Sequence, residues 1–375
     1  ADMLFLAMAI GGIVMVRACA RTGSGANGQL QIAAAAAMLA LSFFTKQTGV
    51  FFVAIGGCLL LAYNWRRVPI FVAVSGLIGL GGTWLLNRTT GGWFWTYVYE
   101  VHQSHDFNRD RVIESFGNIL WHFPVMTIAV AVGLVVVGIT AVAKRRLPPS
   151  AEPFLTWSFV FAATTVLGAI SWGTQWAHFN AYVPAMTAGA IAAGASLPAI
   201  VSALSQLSIA PRAPIPGHII VGYALAGAFA WQLLHAWWTP AQFIPSDEDR
   251  KAGDQLINRI AEVDGEVFVP YHPWYAKLAG KNTYAHRMGL LDMTVGKKSW
   301  PVVGVREAFN NHFFAAVFLD NRPIRGEFPG LLGPYRLDEF LGHDRAPGVY
   351  TGAGAAYSAH KLSPPAVWVP AKPLL

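Results

Sequence analysis

The sequence predicts an α-helical polytopic membrane protein, with about eight transmembrane helices in residues 1–235, followed by a small extracytoplasmic α/β domain in 236–375. Three observations predict it. Of 375 residues, 54% are hydrophobic and only 13% charged, at a mean hydropathy of +0.42, whereas a soluble chain carries about a quarter charged residues. The charge is divided unevenly: residues 1–235 hold six acids (Asp2, Glu100, Asp106, Asp110, Glu114 and Glu152) and 12 Lys and Arg, whereas 236–375 hold 14 acids and 15 bases. The excess of +7 thus belongs almost wholly to the apolar half, where Lys and Arg encode topology rather than nucleic-acid binding. The third observation is a series of apolar runs of membrane-crossing length, about 17–25 residues.

Those runs fall at 3–19, 29–45, 47–64, 68–86, 123–143, 153–171, 181–206 and 217–235. The connections bearing Arg17 and Arg21, Arg66 and Arg67, Lys144-Arg145-Arg146, and Arg212 alternate with connections that lack a basic cluster, so the basic groups share one, cytoplasmic side. Reading 29–64 as one helix would break that alternation, so a tight hairpin is expected around Thr45-Lys46-Gln47. The same parity places residue 1, the loops 87–122 and 172–180, and all of 236–375 outside the cytoplasm. The Ala, Gly and Ser of 181–206 suit a central helix packed backbone to backbone. Cys19 and Cys58 both lie in apolar runs, which excludes a disulfide framework. Ala1-Asp2 runs straight into an apolar stretch without a basic leader, as expected of an N-terminally incomplete chain.

From Ser246 the pattern becomes that of a soluble α/β unit. Ser246 precedes Asp249 as an N-cap with an acid three residues on, and Ala252, Leu256, Ile257, Ile260 and Ala261 recur at helical spacing. A strand is expected over Glu266–Pro270 and another over Phe313–Leu319, ending at Asp320-Asn321. Pro- and Gly-rich loops are expected to fill much of 322–375.

Polar groups in the apolar half cluster on the outer side. Lys46, with Gln47 and Thr48, stands at the start of a helix, where free N–H groups and the dipole favour a phosphate; a lysine snorkelling to the interface is the plainer reading. In the loop 87–122, Trp93, Trp95, Tyr97 and Tyr99 suit an interfacial belt. They lead into His102, His105, Asp106, Arg109, Asp110 and Arg111, a set able to meet phosphate or sugar hydroxyls. His102, His105 and Asp106 lack a fourth ligand at a recognisable spacing, so no metal is expected and no cofactor is implied. Trp172, Trp176, His178 and Asn180 form a third polar and aromatic cluster, suited either to stacking on sugar or to hydrogen bonds between helices. In the outer domain His272, Tyr275, Lys281 and His286 follow the first strand, where α/β units place ligand contacts; a loop that packs on the membrane half explains the aromatics equally well. Phosphate-loop, serine-hydrolase and zinc-peptidase patterns are absent.

The segments Ala1-Asp2-Met3-Leu4-Phe5-Leu6-Ala7, Ser42-Phe43-Phe44-Thr45-Lys46-Gln47-Thr48-Gly49, and His178-x-Asn180-x-x-x-Pro184 entering a small-residue helix together resemble the bacterial GT-C superfamily. These are integral-membrane glycosyltransferases similar to protein mannosyltransferases and the lipid A aminoarabinose transferase. The resemblance implies a multi-pass enzyme of the inner membrane. It would move a sugar from a polyprenyl-phosphate donor to a glycan, lipid or protein acceptor on the extracytoplasmic face, with inversion. It further implies that Lys46 and Gln47 contact the donor phosphate, with Arg109 and Arg111 as second contacts, and that His102, His105, Trp172, Trp176, His178 and Asn180 line the cavity. The family's catalytic acid lies in a loop between its first two helices, which this chain lacks. Asp106 and Asp110 are the outer acids in a suitable setting. A non-catalytic scaffold or accessory subunit of cell-envelope glycan assembly is the alternative. A transporter, which would show ionisable residues near the midplane, fits least.

Overall fold

The computed structural model describes residues 2–21, 26–175, 177–207, 216–237, 239, 244–294, 303–319, 334–341, 349–351, 360–362 and 366–370. The chain divides into two units, one of Ala1–Glu100 with Phe107–Trp237 and one of Val101–Asp106 with Trp238–Leu375.

The first unit is a bundle of apolar helices: α1 (Asp2–Arg21), α2 (Ala26–Thr45), α3 (Gly49–Asn64) and α4 (Val68–Thr89), with α5 (Trp93–Trp95) beyond them. The fragment α6 (Val101–Ser104) belongs to the second unit. The bundle resumes with α7 (Arg109–His122), α8 (Pro124–Lys144), α9 (Ala151–Gly173), α10 (Val183–Leu207) and α11 (Gly217–His235). Among the described residues seven stretches are long and apolar enough to cross a membrane, against the eight expected. The difference is the 41-residue stretch Gly49–Thr89, which counts once yet holds both α3 and α4. A 3-10 turn at Trp65–Arg67 breaks it and folds it back, since a Cβ on Gly56 would lie 3.2 Å from Phe71 Cζ.

The flanks of the bundle are apolar too: Leu77, Leu80 and Val142 are 77%, 77% and 81% exposed. Side chains of this kind face lipid in a multi-pass membrane protein, where they cost nothing. Inside, small residues set the spacing. A Cβ on Gly133 of α8 would come within 2.7 Å of Phe154 of α9, and one on Gly189 of α10 within 2.9 Å of Met126 and Phe161. With Ala185, Ala188, Ala192 and Ala193 all buried, α10 packs against α8, α9 and α11 as a central helix.

One end of the bundle is tied by a polar network. Arg17 of α1 meets Glu152 of α9 through two nitrogens, at 2.8 and 3.0 Å. The Tyr63 hydroxyl bonds to that of Thr156, and the buried Arg67 donates to the carbonyl of Cys19. Two of the basic groups that alternate along the sequence therefore meet at one end. The stretch 87–122, expected as a loop, instead contains α7, because Val112, Ser115 and Ile119 recur at helical spacing and the last two are buried against α9.

In the second unit α12 (Asp247–Ala261) opens with the expected capping box between Ser246 and Asp249. Ala252, Leu256 and Ile260 are buried, Ile257 half-buried, and Ala261 exposed, a correction to the expected face. After it come β1 (Glu266–Phe268), α13 (Pro273–Leu278), α14 (Arg287–Thr294), α15 (Val303–Asn310), β2 (Phe314–Leu319), β3 (Tyr335–Phe340), β4 (Val349–Thr351), β5 (His360–Leu362) and β6 (Ala366–Pro370). The sheet order is β1-β2-β6-β3, with β1 and β2 parallel and the other pairs antiparallel; β4 and β5 form a separate ladder. Strand β2 is covered on both faces. Ala316 and Phe318 pack with Leu256 and Ile260 of α12, whereas Val317 and Leu319 pack with Leu290 of α14 and Phe309 of α15. Among the described residues of 322–375, much of which was expected to be loop, four strands of three to six residues occur; three of them mix polar with apolar residues and show no apolar run in the sequence. Asp320 and Asn321 lie outside the described residues.

Candidate functional site

The turn between α2 and α3 is held as tightly as a backbone allows. Thr45 and Lys46 both donate to the carbonyl of Ser42, at 2.7 and 3.0 Å, and the Gly49 N–H returns to Lys46 O at 2.8 Å. A Cβ on Gly49 would lie 2.4 Å from Phe43 N, so no other residue fits without moving backbone. This turn sends the Lys46 side chain across to the first turn of α1. There its ammonium forms an ion pair with Asp2 and lies 5.9 Å from the centre of the Phe5 ring. The Asn180 side chain lies near the Asp2 carboxylate. A carboxylate, an ammonium and an amide, from three segments distant in sequence, therefore meet at one end of the bundle. Two residues on from Lys46 in the chain, the Thr48 hydroxyl is buried with no hydrogen-bond partner among the described residues.

This arrangement differs from a cradle of free helix N–H groups. The amides of Gly49, Val50 and Phe51 are already bonded to the carbonyls of Lys46, Gln47 and Thr48, at 2.8, 3.3 and 3.2 Å, so the first turn of α3 has spent three of its donors. An anion at this end would have to be met by side chains. The sequence does not mark Asp2 as a site residue, because its partner lies 44 positions away. The alternation of spans, which puts residue 1 and Lys46 on one side, was the available signal.

The remaining candidates in this unit surround Trp172. Its ring stacks on Phe179 at 5.2 Å and Tyr182 at 4.9 Å, with the Arg111 guanidinium 4.7 Å from its centre. Arg111 also donates to Thr174 O at 3.5 Å and Ala177 O at 3.3 Å. Its fork thus fastens the turn after α9. The β-bridge between Phe107 and Thr174 and the bond from Asn108 N to Gly173 O, at 2.8 Å, pin the same turn. Gln47, Arg109, Asp110, His178 and Asn180 are exposed. The Asn108 side chain accepts from the amides of Asp110 and Arg111, so Asp110 occupies the first turn of α7, where a negative charge suits the helix dipole. Trp176 lies outside the described residues.

His102, His105 and Asp106 belong to the second unit. His105 is buried, its Nε2 is 3.7 Å from Asp292 Oδ1 without a hydrogen bond, and the His102 ring stands edge-on to it at 5.5 Å. Burial raises the Asp292 carboxyl above its ordinary pKa, against the pull of the two histidines, while partial desolvation and then His105 lower that of His102. Asp106 is exposed. Of the residues after β1, the His272 and Tyr275 rings contact each other at 5.9 Å. His286 accepts from the Met288 amide at 3.1 Å, at the start of α14. Lys281 donates to Val263 O at 2.5 Å and Gly265 O at 3.3 Å, and so secures the chain entering β1. Among the described residues no group of three or more His, Cys, Asp or Glu side chains could hold a metal ion. No family model, no curated protein and no solved structure matches the chain.

Proposed function

We propose that the cluster of Asp2, Lys46 and Asn180 receives the phosphate of a polyprenyl-phosphate-linked sugar, and that the chain serves inverting transfer of that sugar to an acceptor on the extracytoplasmic face of the inner membrane. The observation that supports the reading is the Lys46 ammonium held at one end of an apolar bundle by Asp2, 44 positions away in the chain. A lipid tail reaches such a site sideways from the bilayer while its headgroup meets a cation and donors. An ammonium carries three N–H bonds, and the pair with Asp2 uses one of them. Departure of the sugar from phosphate leaves negative charge on the phosphate oxygens, and Lys46 stabilises it there.

Asp2 is a positioning residue in this scheme. In an inverting displacement the attacking oxygen and the departing phosphate oxygen lie on opposite faces of the anomeric carbon. A carboxylate touching the phosphate-binding ammonium is therefore on the leaving side, away from the proton that a base must take. The base belongs to another acid, for which Asp110 is the candidate within the same unit.

The alternative, an accessory subunit of envelope glycan assembly, draws on the donors already spent within the bundle: Lys46 on Asp2, and Arg111 on Thr174 and Ala177. Binding of a polyprenyl-phosphate sugar to the protein in detergent separates the two. Lys46→Ala should weaken it by about 10- to 150-fold, the equivalent of the roughly 1.5–3 kcal/mol of a hydrogen bond to a charged group. Unchanged affinity in a folded Lys46→Ala protein, or none in the parent, leaves the accessory reading.

A further inference from the structure

The second unit carries a surface that its own core leaves uncovered. Residues 267–291, a run of 25, contain no acid but hold Lys277, Lys281 and Arg287, although Glu262, Asp264 and Glu266 precede them and Asp292 follows. Within this run α13 has two unlike faces. Tyr275, Ala276 and Ala279 pack into the core under the sheet. On the opposite side Trp274 and Leu278, one turn apart, are 67% and 52% exposed, with Lys277 exposed between them. Trp and Leu stand in contact with water, and a lysine shares their face.

That triplet has the chemistry of a bilayer boundary. An indole ring prefers the headgroup level, a leucine the acyl chains just beneath, and a lysine extends its ammonium to lipid phosphates. A bilayer is also always within reach. Only ten residues, 236–245, separate the last apolar helix from the N-cap of α12, a connection of about 35 Å when fully extended.

We propose that α13 is an interfacial anchor, with Trp274 and Leu278 seated in the surface of an anionic bilayer and Lys277 paired with its lipid phosphates. The full-length protein tests this in nanodiscs of phosphatidylcholine with or without phosphatidylglycerol. A nitroxide is placed at Leu278→Cys, or at Asp254→Cys on the exposed side of α12, in a Cys58→Ser background. The expected result in anionic discs is a ratio of oxygen to aqueous-nickel collisions several-fold higher at 278 than at 254. It should fall when phosphatidylglycerol is omitted, and again in Trp274→Ala or Lys277→Glu. Equal ratios at the two positions overturn the proposal. So does exclusion of both reagents at 278, the sign of a protein partner, and so does a ratio indifferent to lipid charge and to Lys277→Glu.

Discussion

Gly49→Ala tests the geometry that aims Lys46. The three atoms nearest the added methyl are all backbone: Phe43 N and Ser42 C at 2.4 Å, and Ser42 O at 2.6 Å. Ordinary contact begins at 3.4 Å, so the start of α3 must retreat from the end of α2 by roughly 1 Å. Flexible side chains could absorb such a shift, but two backbones cannot. The retreat also stretches the bond from Gly49 N to Lys46 O, now 2.8 Å. Overpacking of this kind costs about 1–3 kcal/mol, and a weakened hydrogen bond adds up to about 1 kcal/mol. Alanine returns at most about 1 kcal/mol of helix propensity, which leaves a net loss of about 1–3 kcal/mol. Gly79→Ala in α4 is the internal control, since nothing lies within 4 Å of its Cβ position and only propensity changes. Denaturant titration in detergent micelles, followed by circular dichroism, should show a lower midpoint for Gly49→Ala and a slope like the parent's. Equal midpoints for the two variants would refute the close approach of α2 and α3.

Two further outcomes follow from other contacts. In a double-mutant cycle on Arg17→Ala and Glu152→Ala the two losses should be non-additive by about 1–2 kcal/mol, because both side chains are only 24% exposed and bidentate; additive losses would mean that the network does not tie α1 to α9. The second concerns pH. A carboxyl raised on folding, as in Asp292, binds its proton more tightly in the native state, so its contribution is favourable at low pH and is lost as pH rises from the ordinary carboxylate range through the folded value. A histidine lowered on folding, as in His102, has the opposite sign: stability is lost as pH falls through the ordinary value of 6.5. Melting of His102→Gln should therefore be less sensitive to pH between about 7 and 5 than the parent's, and Asp292→Asn should remove the loss of stability that sets in as pH rises above the ordinary carboxylate range. Parallel curves for parent and variants would exclude these groups as its source.

What could be read in the residues was local. The hairpin at Thr45-Lys46-Gln47 follows from the alternation of basic groups, and the central place of α10 from its Ala and Gly content. The cap of α12 is written in Ser246 and Asp249. Contacts that decide the candidate site are of another kind. Lys46 finds Asp2 across 44 positions, and Arg111 reaches the carbonyls of Thr174 and Ala177 across 63 and 66. A basic residue reads the same from the sequence whether its partner is a ligand or a distant carbonyl of its own chain. Strands β3 to β6 were lost for a different reason: three to six residues between prolines and glycines carry too short a period to stand out, and their pairing with β2 or with one another is non-local.

The 16 residues of α3 have a bearing on the membrane itself. At about 1.5 Å per residue the helix is roughly 24 Å long, against a hydrocarbon thickness of about 30 Å. Lys46 precedes it and Arg66 and Arg67 follow it, so there is no further apolar length to draw in at either end. Hydrophobic mismatch of this sign is met by thinning of the surrounding bilayer, at a fraction of a kcal/mol per ångström. Thinning of this sign would draw the lipid headgroups towards the two ends of α3, the end next to Lys46 among them.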